Sequence, residues 1–331
     1  MKNKKSLILW ITGILCLILS FFLSLSLGNT CISPGEIIKI FAGNRSGAAA
    51  DILLLSRMPR AFAALLSGAA LSVAGGILQN VLSNQLASPS IIGVNAGAGF
   101  GVTLCSALGL LSGWAVSAFA FGGSLLAVFI ICLFANRVNA SKTTVILGGV
   151  ALNSILSAMS ESLSVLDPDV AMLTTEFRVG GFSSVSHTRL FPAAVLIFAA
   201  LIILCTLFNE LDILSLGDET AKSVGLSTGK YRIIFLILAA LLAGAAVSFT
   251  GLLGFVGLIV PHMVRKLAGN ESSKFLPLTA VYGAAFVCLS DLVARLVFMP
   301  FELPVGIIMA VIGGPLFVFL LVRMKGGHCD A

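Results

Sequence analysis

From Ser6 to about Leu27 the chain carries no charged residue, and comparable apolar stretches recur to its end. That repetition is what most limits the possible folds. A bilayer core needs about 20 consecutive apolar residues per helix. Within the hydrocarbon every backbone N–H and C=O must be satisfied by the protein, so only helices and closed barrels can span it. The runs here are continuous rather than alternating, which selects helices. The predicted spans are 6–27, 57–81, 93–111, 114–135, 143–166, 190–208, 231–250, 254–267, 275–298 and 304–322, the eighth being short and interrupted by Gly257 and Pro261. A mean hydropathy of +1.09, with only 10% charged residues, excludes an ordinary soluble domain, of which about 25% is charged. The expected fold class is an all-α membrane protein, a polytopic bundle of about ten transmembrane helices forming one domain over 1–331.

The opening "MKNKKSLILWITGILCLILSFFLSLSLG" has the basic head of a signal peptide. Its apolar run is too long for that role and no A-x-A site follows, so an uncleaved first span is predicted. Ten spans place both termini on one side. With that side cytoplasmic, thirteen basic residues fall in inner segments and six in outer ones, which satisfies the positive-inside rule. The net charge of +6 is therefore a matter of topology and not of nucleic-acid binding. Seven scattered cysteines without a C-x-x-C predict free thiols. "SGAALSVAG" (67–75) and "AGAAVSFTG" (243–251) share five of nine residues in spans of opposite direction, as an inverted repeat would.

Between the sixth and seventh spans lies "LDILSLGDETAKSVGLSTGK" (211–230), in which Asp212, Asp218, Glu219, Lys222 and Lys230 are charged. Residues 215–225 read as a short helix, with Ser215 and Asp218 as a capping box and Gly225 as the stop. Leu216, Thr220, Ala221 and Val224 span one side, and Asp218 pairs with Lys222 on the other. So short a helix is marginal alone in water, so its apolar side must be covered. The cover is either its own bundle and the headgroups or a cytoplasmic partner. "GLSTGKY" is one residue short of a phosphate-binding loop and has Tyr231 in place of the hydroxyl, so no nucleotide site is predicted.

The stretches 57–99, "LDILSLGDETAKSVGL" (211–226), "GLLGFVGLIVPHMVRKLAG" (251–269) and 289–321 together resemble the permease subunits of bacterial ABC importers for iron–siderophores, haem and cobalamin. The resemblance implies ten helices per subunit and a multi-pass protein of the bacterial cytoplasmic (inner) membrane. It implies a second permease subunit, identical or paralogous, with the path at their interface. Two cytoplasmic ATPases that use ATP and Mg, and an extracytoplasmic binding protein, are the other partners; the chain itself is expected to hold no cofactor or metal. Leu214, Leu216, Gly217, Asp218, Glu219, Ala221, Lys222, Val224 and Gly225 match the segment that couples to the ATPase.

Arg57, Arg60 and Arg295 match positions that meet acidic residues of the binding protein. Snorkelling of the first two, and pairing of Arg295 with Asp291, are the alternatives. Asn84 and Leu86, with Ser141 and Thr143 before the fifth span, are cytoplasmic-gate candidates; Gln85 stands where the family's Asn-Pro-Leu-Ala loop has proline. Asn153, Ser157, Ser160 and Glu161 lie on the helix that lines the path in the family, although interhelical hydrogen bonds account for the Asn and Ser residues as well. His262 is assigned a local structural role, and Glu302 a place at the outer rim. The rival class is a secondary transporter driven by an ion gradient, for which Glu161, Asp291 and Arg295 would have to act as a relay.

Overall fold

The computed structural model describes residues 2–43, 47–137, 141–183 and 185–325. Arg45, His328 and Cys329, and the side chains of Lys2, Lys4, Arg137, Arg323 and Lys325, lie outside the described part. The first half contains α1 (Lys2–Ser26), α2 (Pro34–Phe41), α3 (Ala48–Asp51), α4 (Met58–Val81), α5 (Val94–Ala107), α6 (Gly113–Arg137) and α7 (Lys142–Leu166). The second contains α8 (Pro168–Val179), α9 (His187–Cys205), α10 (Phe208–Ser215), α11 (Asp218–Ser223), α12 (Thr228–Thr250), α13 (Val256–Ala268), α14 (Ser272–Leu296) and α15 (Val305–Lys325). A π-helical turn, Ile52–Arg57, joins α3 to α4.

The short elements outside the predicted spans start where local chemistry favours a helix. Ser33 and Glu36 form a capping box ahead of α2, with Pro34 at its first position. Asp167 caps α8 by accepting from Asp169 N at 2.9 Å, and Gly180, at φ +70°, ends it.

Among the described residues seven helical runs are long and apolar enough to cross a membrane: Lys5–Ser26, Ala48–Val81, Gly113–Asn136, Lys142–Leu166, His187–Cys205, Thr228–Thr250 and Ser272–Leu296. Two predicted spans come out shorter. The third shrinks to α5, of 14 residues, and the eighth to α13, of 13. At 1.5 Å per residue each covers about 20 Å, less than a bilayer core of about 30 Å. Both are preceded by irregular chain, residues 82–93 and 251–255. Such chain is tolerated at membrane depth only where protein encloses it.

Helices α4 and α12 form the centre. Helix α4 packs on α12, α13 and α14, and α12 also packs on α6 and α9. Only 17% of the apolar window of α7 is buried, against 78% for the run containing α4, so one flank of the subunit is left open. The central contacts are backbone against backbone. A Cβ on Gly68 would collide with the Gly283 carbonyl of α14, and one on Gly75 with the Gly257 carbonyl of α13. Gly97 and Gly123 do the same for α5 and α6. Lipid tails are as apolar as leucine, so close packing rather than water exclusion joins these helices. The two halves of the internal echo, 67–75 and 243–251, both lie in this core, in α4 and α12.

Substitution tests this directly. Gly75→Val should destabilise the folded protein by more than about 2 kcal/mol, because the obstacle is backbone and cannot yield. Gly99→Ala, where nothing lies within 4 Å of an added Cβ, should be tolerated. Monodisperse yield and thermal unfolding in detergent report both.

Candidate functional site

The α10–α11 segment closes one end of the bundle. Leu211 and Leu214 of α10 and Ala221 of α11 are fully buried, whereas Leu216 is 68% and Val224 63% exposed. The predicted helix over 215–225 is shorter, because Gly217, at φ +110°, forces a break and becomes the N-cap of α11. The expected capping box is therefore absent: Ser215 Oγ donates back to Asp212 O at 2.7 Å. The C-terminal stop forms as expected at Gly225, φ +85°, with Leu226 N donating to Ala221 O at 3.0 Å. Of the four residues assigned to the apolar side only Ala221 is buried; Leu216, Thr220 and Val224 face outward, with Glu219 and Lys222 beside them.

Asp218 does not pair with Lys222. It accepts from Arg232 Nη2 of α12 at 2.6 Å, and Lys142 Nζ of α7 lies 3.6 Å from its other oxygen. Burial pushes this carboxyl up, but the hydrogen bond and charge of Arg232, with Lys142, prevail and hold it below its ordinary value of 3.8.

The gate candidates lie beside this cluster. Asn84 Oδ1 accepts from Leu86 N at 2.9 Å, an Asx turn that shapes the start of the 82–93 loop without the family's proline. Ser141 caps α7 by accepting from Thr144 N at 3.2 Å, and Thr143 is exposed. Lys142 donates to Ser83 Oγ at 2.7 Å. Below the loop, a polar cavity of about 160 Å³ is lined by Gln79, Asn80, Asn84, Ser215 and Arg265 among others. Arg265 donates to Asn80 Oδ1 at 2.9 Å and lies over the Phe275 ring, 4.7 Å from its centroid.

The four path candidates on α7 separate. Asn153 is turned to the loop, donating to Ser90 O at 2.7 Å. Ser160 is buried within the subunit and donates to Leu156 O at 2.9 Å, so it does not line an open path. Ser157 is half-buried and Glu161 exposed, with Arg178 Nη1 at 3.8 Å from its carboxylate. His262 is buried in α13, and among the described residues no group of three or more His, Cys, Asp or Glu could hold a metal.

At the opposite end of α4 the three arginines turn inward. Arg57 donates to Leu25 O at 2.7 Å, to Ser26 O at 3.0 Å and to both oxygens of Thr30. Arg295 donates to Ser24 Oγ at 2.6 Å, and its Nε lies 3.2 Å from Asp291 Oδ2, close enough for an ion pair although not aligned for a hydrogen bond. Both thus satisfy the C-terminal end of α1, where carbonyls lack intrahelical donors. Arg60 chelates buried Asp291 at 2.9 and 3.0 Å and reaches Glu302 at 2.6 Å. Of the readings given for Arg295, the pair with Asp291 is present, and desolvated carbonyls and a buried carboxylate hold all three guanidinium groups within the subunit. Glu302, 37% exposed, is the open part of the cluster.

Two measurements follow. Arg60→Met leaves Asp291 buried with half its compensation and should cost about 3–5 kcal/mol in folding, read as a lowered unfolding midpoint. The pairing of Asp218 stabilises fully above the ordinary carboxylate value and is lost as pH falls through its lowered one. The gap in unfolding midpoint between the wild type and Asp218→Asn should therefore persist at neutral pH and close on acidification.

The chain matches the FecCD transport family over residues 16–323. It is 34% identical to the iron(3+)-hydroxamate import system permease protein FhuG of Bacillus subtilis, covering 97% of this chain and 98% of the relative. It is 32% identical to the vitamin B12 import system permease protein BtuC of Klebsiella pneumoniae, covering 96% and 94%. A solved structure described as an inward-facing metal-chelate type ABC transporter superimposes with a TM-score of 0.86 at 29% identity, covering 96% of this chain and 99% of the other. With the described residues all helical or irregular and seven helical runs of span length among them, the chain belongs to the FecCD transport family, the non-enzymatic permease subunits of ABC transporters.

Proposed function

We propose that the protein is the permease of an importer that carries an iron–siderophore-type chelate across the cytoplasmic membrane. Ten membrane helices, the seven long runs together with α15 and the short α5 and α13, would leave both termini on the cytoplasmic side. It works as one half of a permease dimer, receives cargo from an extracytoplasmic binding protein, and is driven by two ATPase subunits that supply ATP and Mg chemistry. The observation that carries this reading is the docking surface: Leu216 and Val224 stand exposed on either side of a helix whose Ala221 is rooted in the bundle. Exposed large side chains flanked by Glu219 and Lys222 are what a partner groove would cover. The likeness to both a hydroxamate and a B12 permease makes cobalamin the second cargo to test. The ion-gradient alternative has less support, since Asp291 and Arg295 are buried and paired with each other, and Asp291 also pairs with Arg60.

The test uses proteoliposomes containing the permease, its ATPase and its binding protein. Uptake of a ferric trihydroxamate should require ATP, with cobalamin as the comparison cargo. Leu216→Asp with Val224→Asp should abolish ATPase co-purification and uptake together while membrane insertion persists. Uptake that continues without any ATPase would overturn the reading.

A further inference from the structure

Three elements, α11, α12 and α7, meet at the Asp218 carboxylate and divide the work unequally. Arg232 is buried on α12, 2.6 Å from Asp218, and ties α11 to the bundle. Lys142, the first residue of α7, sits between two partners: Asp218 at 3.6 Å on one side and Ser83 Oγ at 2.7 Å on the other. Ser83 ends α4 in a left-handed conformation, φ +47°, and opens the 82–93 loop. The same helix holds that loop a second time, through Asn153 and Ser90 O. On the far side, Asn80 ties the end of α4 to Ser272 of α14, at 3.4 Å, and to Arg265. The end of α4 is therefore anchored to the core by Asn80, and the loop that follows it to α7 by Lys142 and Asn153.

We propose that Lys142 is the positioning residue that passes displacement of the 211–226 segment to the 82–93 loop. This role rests on the permease reading above. A lysine suits it because its ammonium is a point charge on a flexible stem, able to favour one partner over the other without repacking. At 3.6 Å the pair with Asp218 is looser than a hydrogen bond, whereas the contact with Ser83 is made. Movement of α11 toward α7 tightens the first and loosens the second, which gives the element two arrangements rather than a continuous deformation. Arg232, by contrast, ties Asp218 to α12.

Hydrogen-exchange mass spectrometry on the full permease–ATPase complex in nanodiscs reads both steps, without nucleotide and with ATP plus vanadate. In the wild type, ATPase binding should slow exchange over 211–226, and nucleotide should change exchange over 82–93 several-fold. Lys142→Met should keep the first response and lose the second, and Lys142→Arg should restore it. A nucleotide response in Lys142→Met equal to wild type overturns the proposal. So does loss of the 211–226 protection in that variant, which would make Lys142 part of the docking surface. Absence of 211–226 protection in the wild type would instead overturn the permease–ATPase reading itself.

Discussion

The fold depends on backbones touching. In lipid no water is released when two apolar helices meet, so the attraction must come from the closeness of the contact itself. Gly68 against Gly283 and Gly75 against Gly257 let α4 approach α14 and α13 to the limit of the main chain. The rest of the architecture is arranged around that axis. Helix α13 can be too short to span because α4 lies along it, and the irregular 251–255 stretch before it is covered by protein rather than by lipid. There Phe255 takes φ +64° and its ring packs on Gly313 of α15, a left-handed bulky residue held by its surroundings.

Charge is confined to the two ends of this axis and is used differently at each. Around Arg60 and Asp291 the groups are buried, multiply bonded and tied to the end of α1, which makes a clamp. Around Asp218 they are partly exposed and one contact is long, which makes a joint. One core thus carries a tightly bonded end and a looser one.

Hydropathy made the membrane helices legible, and the glycine and proline punctuation placed most of their ends within a few residues. The eighth span was legible as short from Gly257 and Pro261, whereas α5 was not, since the apolar residues Leu108, Leu110 and Leu111 that follow it read as helix. The 211–230 segment stood out by its charge, but its internal wiring was misread. Ser215 and Asp218 have the spacing of a capping box, yet Gly217 between them turns left-handed and separates two helices. Asp218 has Lys222 at helical spacing, yet its partners come from residues 142 and 232. Contacts across such distances leave no periodic trace. The same holds for Arg57, whose acceptors are the carbonyls of Leu25, Ser26 and Thr30, since a main-chain oxygen has no sequence signature.

The clamp at the head of α4 also orders events during synthesis. Arg60 enters the bilayer early, while its carboxylates, Asp291 and Glu302, are translated more than two hundred residues later. Until the ribosome has delivered α14, this cation must be held by water, headgroups or the insertion machinery. The nascent bundle is thus locked only when its last quarter arrives, so a truncated chain would keep its oily segments but lose the bolt that fixes them.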